Sequence, residues 1–142
     1  MAAVISLAWL CASCADGYAP NQAPRILDFS MSQQEALKAL NLIAESPLVD
    51  QSIRFKSESA CALQVERKRL IGWKSLRSIP LQGSKAELSK AGYEENYSVS
   101  IKPVQGGEAL IMEGLPLFEA LDVKWIVNHL QSLCVSGMQK TL

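Results

Sequence analysis

Across residues 53–65, IRFKSESACALQV, two kinds of side chain alternate. Odd positions are apolar or small (Ile53, Phe55, Ser57, Ser59, Cys61, Leu63, Val65), while Arg54, Lys56, Glu58 and Gln64 occupy even positions around Ala60 and Ala62. Successive side chains of a strand point to opposite faces, so the pattern predicts one long β-strand with a buried face and a wet face. Such a strand cannot cover its own apolar face. The remainder of the chain must supply partner strands and a covering layer.

The flanking segments read as that supply. Residues 25–29, RILDF, form a short apolar run that suits a first strand or a lead-in. Ser32 with Glu35 three residues later is a capping box, in which each side chain satisfies a backbone N–H left orphaned at a helix start. Ala36, Leu37, Leu40, Ile43 and Ala44 then fall on one helical stripe, and Pro47 stops the helix. Residues 66–69, ERKR, read as a charged turn into a second β segment over residues 70–81. There Ile71, Trp73, Ile79 and Leu81 are in phase, Ser75 and Arg77 interrupt, and Pro80 argues for an edge strand or a strand end.

Ser84 and Glu87 repeat the capping-box form, with Gly92 placed as a C-terminal cap, which predicts a two-turn helix. Tyr97, Val99 and Ile101 alternate with polar neighbours as a strand, and Gly106-Gly107 turns it into another at residues 109–113. A last helix is expected over residues 117–134, with Pro116 in its first turn. Its apolar face holds Val123, Ile126, Val127, Leu130, Leu133 and Cys134. The expected fold is α+β: an antiparallel sheet of four or five strands, with an N-terminal and a long C-terminal helix packed on one face. Residues 25–142 would form this single domain, consistent with the 142-residue length and 49% hydrophobic content.

Ahead of the domain, residues 2–15, AAVISLAWLCASCA, carry no charge. As a helix they would reach only about 21 Å, short of a bilayer core of roughly 30 Å. Their length suits a secretory signal instead, and Ser13 and Ala15 are the small residues a cleavage before Asp16 would need. Leu10-Cys11-Ala12-Ser13-Cys14 resembles a bacterial lipobox, although Cys11 stands where the family's leucine is usual. The resemblance covers residues 1–15 and implies acylation of Cys14 and a small exported lipoprotein. A buried N-terminal helix of a cytosolic protein is the competing reading. Residues 16–24, DGYAPNQAP, read as a flexible tether. The expected location is therefore outside the cytosol: periplasmic, held to a membrane by lipid, or secreted.

Of four cysteines, Cys11 and Cys14 lie in the leader and Cys61 and Cys134 in the domain. Cys61 sits on the buried strand face and Cys134 on the apolar face of the last helix, which predicts a Cys61–Cys134 disulfide in an oxidising compartment. Two inert buried thiols are the alternative. Closing a loop of about 70 residues would stabilise by roughly 3–4 kcal/mol in the chain-entropy view.

Formal net charge is zero, which leaves no global electrostatic argument for nucleic acid as a partner. The charge is nonetheless uneven. Residues 53–90 hold nine Lys/Arg against three Asp/Glu. Arg67, Lys68, Arg69, Lys74 and Arg77 surround Trp73, and this group could dock on a protein or on an anionic envelope component. Otherwise Trp73 points inward and the charges are a solvated turn.

Signals for chemistry are weak. His129 is the one histidine, so no zinc pattern exists, and no nucleotide- or nucleophile-binding glycine motif occurs. Trp125, His129 and Asp122 on the last helix read as a surface rim, and the Glu94-Glu95 and Glu119/Asp122 pairs as solvated carboxylates. No cofactor is expected. The preferred function is a non-catalytic envelope or periplasmic binding or structural module, an inhibitor or immunity-type role included. A carrier of a small apolar ligand between sheet and helices comes second, permitted by the 6% aromatic content, and a small hydrolase third.

Overall fold

The computed structural model describes residues 26–47, 49, 52–59, 61–92 and 95–139. Helix α1 (Gln33–Ala44) starts at the expected capping box. The Ser32 N–H donates to Glu35 Oε2 at 2.7 Å, and the Glu35 N–H donates to Ser32 Oγ at 3.3 Å. Its buried stripe is Ala36, Leu40, Ile43 and Ala44. Strands β1 (Ile53–Ser59), β2 (Ala62–Lys68) and β3 (Trp73–Pro80) form one antiparallel sheet in that order. Strands β4 (Lys85–Ala91), β5 (Asn96–Lys102) and β6 (Ala109–Leu115) form a second, and helix α2 (Leu117–Gln139) closes the chain. The architecture is α+β, with two three-stranded antiparallel sheets in place of the single sheet of four or five strands expected.

Helix α1 packs on β1 and on α2, while α2 lies against β4, β5 and β6. One apolar core runs through all of them, from Leu40 and Ile43 through Phe55, Leu63 and Ile79 to Val99, Ile101, Met112, Ile126 and Leu130. Two polar clasps fasten the layers. Asn41 Nδ2 donates to the Phe55 carbonyl at 2.9 Å, and the Phe55 N–H donates to Asn41 Oδ1 at 2.7 Å. The side-chain amide thus stands in for a neighbouring strand along the outer edge of β1. Gln131 Nε2 donates to the Ser84 carbonyl at 3.0 Å, which ties the β3–β4 connection to α2. In that connection Gly83 has φ +69°, which favours glycine, and a Cβ there would lie 2.7 Å from Cγ2 of the exposed Val104, which would have to move aside.

Residues 53–65 are two strands and a turn. Cross-strand partners share a face, and the pairs Phe55–Val65 and Ser57–Leu63 join odd positions to odd positions. The hairpin therefore preserves the parity of the pattern, and alternation alone could not reveal the reversal. The turn expected at residues 66–69 begins later, because Glu66, Arg67 and Lys68 still belong to β2 and the chain reverses at residues 69–72.

The helix expected from Ser84 is strand β4. Ala86 is buried and Leu88 half-buried while Lys85 and Ser89 are exposed, and the whole segment pairs with β5. Ser84 Oγ donates to the Leu81 carbonyl at 2.7 Å and so serves a turn rather than a helix cap. Residues 26–28 are irregular, so the apolar run there acts as a lead-in. The β5–β6 hairpin and the last helix stand where expected, the helix running five residues beyond Cys134 to Gln139.

Candidate partner-binding hairpin

Strands β2 and β3 run to a turn built from Arg69, Leu70, Ile71 and Gly72, which extends past the end of β1, whose Ile53 pairs with Arg67 and whose neighbour Ser52 accepts from the Lys68 N–H at 2.7 Å. The Arg69 N–H donates to the Gly72 carbonyl at 2.9 Å, and Gly72 takes φ +74°, a left-handed conformation that glycine adopts without strain. Leu70 and Ile71 occupy the apex, where polar turn formers are usual. Their relative exposures are 107% and 95%, so neither packs against the fold.

The register of β3 on β2 decides where the remaining side chains go. Val65 pairs with Arg77 but Glu66 pairs with Ser75, so Leu76 is an extra residue, a β-bulge. The bulge reverses the phase expected for residues 70–81: Ile79 stays on the core face and Trp73 is carried to the outer one. Trp73 is 39% exposed and lies beneath the Arg54 guanidinium, 4.3 Å from carbon to ring centroid. Arg54 Nε also donates to Glu66 Oε2, and Lys56 Nζ reaches Glu66 Oε1 at 3.3 Å. These bonds, Arg54 first, hold the Glu66 carboxyl below its ordinary range against partial burial. Trp73 thus sits on an ordered platform, outside the core.

All five cations singled out in the sequence, Arg67, Lys68, Arg69, Lys74 and Arg77, are exposed. Among the described residues none of them forms an ion pair. Arg67 stands directly opposite Lys74, an arrangement of like charges that destabilises a ladder when no counter-charge is present. Lys68 and Trp73 share the outer face, and Arg67 and Lys74 share the other, so charge flanks the ribbon on both sides. Just behind the apex, Trp73 and Lys68 border an open groove of about 490 Å³ with Glu45, Pro47, Val49 and Ile53. The sequence reading missed Arg54 as the partner of Trp73, and took Leu70 and Ile71 as part of a half-buried strand. The adjacent Ile71-Gly72 step inside a basic run was the available cue to a turn apex.

The cysteine positions converge. Cys61, half-buried in the β1–β2 turn, interacts with the buried Cys134 on α2, and both are thiols. Burial, with the Cys61 contact second, pushes the Cys134 thiol up to about 12. The leader and tether, including Cys14, lie outside the described residues.

His129 is not part of a surface rim. It is 3% exposed, and its Nε2–H donates to the Met31 carbonyl at 2.8 Å. Trp125 stacks on the ring at 5.2 Å, and Phe29 meets its edge at 6.2 Å. Together these contacts strap the lead-in onto α2. Beside them, hydrogen bonds from Ser30, first from its backbone N–H and then from its hydroxyl, hold Asp28 below the ordinary carboxylate range. Among the described residues no three His, Cys, Asp or Glu side chains gather as a metal site, and no helix is long and apolar enough to cross a membrane. Comparison of the chain with protein families, with curated proteins and with solved structures finds no match.

Proposed function

We propose that this chain is a non-catalytic binding module of the cell envelope, exported and anchored by lipid at Cys14, whose contact surface is the β2–β3 hairpin. The observation that carries this reading is the apex itself: two fully exposed aliphatic side chains within a run of residues 67–77 that contains five cations and no acid. Neither feature assists folding. The apex residues bury nothing, and Arg67 opposite Lys74 works against the ladder. Residues that oppose local stability on an ordered scaffold mark a surface used for something else. Trp73, fixed under Arg54, supplies a rigid aromatic anchor of the kind that dominates contact energies. A Cys61–Cys134 bridge would suit the same compartment, and the adjacency of the two thiols supports it.

Charge reversal tests the reading. The double substitution R67E/K74E exchanges one like-charge pair for another at exposed positions, so the fold should survive with unchanged circular dichroism. With Cys14→Ser in both chains, so that no acyl anchor holds either, retention of the full chain on envelope membranes from its own host should then fall at least tenfold, as expected when several cations near an anionic surface each contribute. Equal retention of both chains would exclude the hairpin as the contact surface.

A further inference from the structure

We infer that the partner of this hairpin is an anionic lipid bilayer, entered tip first, with Leu70 and Ile71 in the interfacial layer and the cations against lipid phosphates. The inference rests on the hairpin being the contact surface and names what that surface meets.

Three features separate a bilayer from an acidic protein. The first is the order along the ribbon. The two most exposed aliphatic residues stand at the extreme end, and the cations follow behind them, from Arg69 at the turn through Lys68, Lys74 and Arg67 to Arg77. Apolar material beyond a basic collar matches the layering of a membrane surface, where acyl chains lie beneath charged headgroups. The second is the spread of charge over both faces. A protein would dock against one face of the hairpin and leave the other cations unused, whereas a turn entering tip first has headgroups on both sides, and the cations on both faces find counter-charge. Arg67 and Lys74 on one side, Lys68 on the other, satisfy that geometry. The third is Trp73, the first strand residue behind the apex. Its partial exposure suits an indole at the boundary between apolar and wet layers.

Flotation with vesicles tests the inference on the full chain carrying Cys14→Ser, so that no acyl chain is added. The probes are vesicles of phosphatidylcholine alone and vesicles made half of phosphatidylglycerol. The chain should favour the anionic vesicles by on the order of a hundredfold, as for about three effective cations near the surface. The tip variant L70S/I71S, which keeps every charge, should lose on the order of tenfold to a hundredfold on those vesicles. Binding to anionic vesicles that is equal in the tip variant would overturn insertion. Failure to bind lipid at all, while R67E/K74E still abolishes retention on host envelope membranes, would overturn the bilayer and leave the hairpin as a protein-binding surface. If R67E/K74E changes neither, the hairpin reading falls together with this one.

Discussion

Oxidising the Cys61–Cys134 pair should raise stability by an amount that the loop between them sets. The two residues bracket about 70 positions, and cross-linking a loop of that size removes close to 4 kcal/mol of denatured-state entropy. A chain of this length shifts its melting midpoint by about 3 °C per kcal/mol, so the bridged form should melt about 12 °C above the reduced form. The two thiols interact between the β1–β2 turn and α2, which places them as neighbours for such a bond. The assay is thermal unfolding by circular dichroism, after incubation with oxidised glutathione and again after full reduction. Cys61→Ala is the control: it deletes a half-buried thiol and should melt near the reduced wild type in either buffer.

Alkaline pH adds a second signature. The Cys134 thiol is raised from 9.0 to about 12 in the fold, so the native reduced state holds its proton where the unfolded chain releases it. The associated stability is fully present below pH 9 and is lost as pH climbs towards 12. A bridged chain has no such proton and should lack this loss. Equal midpoints for the two redox forms, or Cys61 and Cys134 both found reactive in denaturant after oxidation, would refute the reasoning.

Three further outcomes follow from the geometry. Asn41→Ala removes both bonds that cap Phe55 on the β1 edge and should destabilise by about 1–3 kcal/mol in denaturant unfolding. Arg54→Ala uncovers Trp73 and takes away the first partner of Glu66, so tryptophan emission should change and stability should fall by about 1–2 kcal/mol. Asp28, Glu35 and Glu66 are all held below their ordinary values, so their contributions are intact above the carboxylate range and lost as pH falls through it. Acid unfolding of Glu66→Gln should be shallower than that of the wild type.

The two terminal helices were legible because each combines a start signal with a stripe of period 3.6: Ser32 and Glu35 ahead of Leu40 and Ile43, Pro116 ahead of Val123, Ile126 and Leu130. Strand β5 was legible by alternation. The β1–β2 turn was hidden because its register pairs odd with odd, so Phe55 and Val65 remain in phase through a reversal that contains no glycine or proline. At Ser84 the capping pattern misled: a hydroxyl followed by a glutamate is also what a turn and a polar strand face require, and only pairing with β5 distinguishes them. Trp73 was beyond periodicity for a third reason. A single extra residue, Leu76, exchanges the faces of everything before it, and no local propensity announces a bulge. The five cations and Trp73 were visible as a group, but the apex that gives them a direction was not. Leu70 and Ile71 read as the start of a strand, with Ile71 in phase with its apolar face.

The central claim is most directly tested by measuring retention of the full chain, carrying Cys14→Ser so that no acyl anchor contributes, on its own host's envelope membranes while salt is raised from about 0.1 M to about 1 M. Over that range the screening length falls from about 10 Å to about 3 Å. Contact through Arg67, Lys68, Arg69, Lys74 and Arg77 predicts a steep loss of binding, with the R67E/K74E chain weak throughout. Retention that is unchanged across the range, and equal in the two chains, would contradict it.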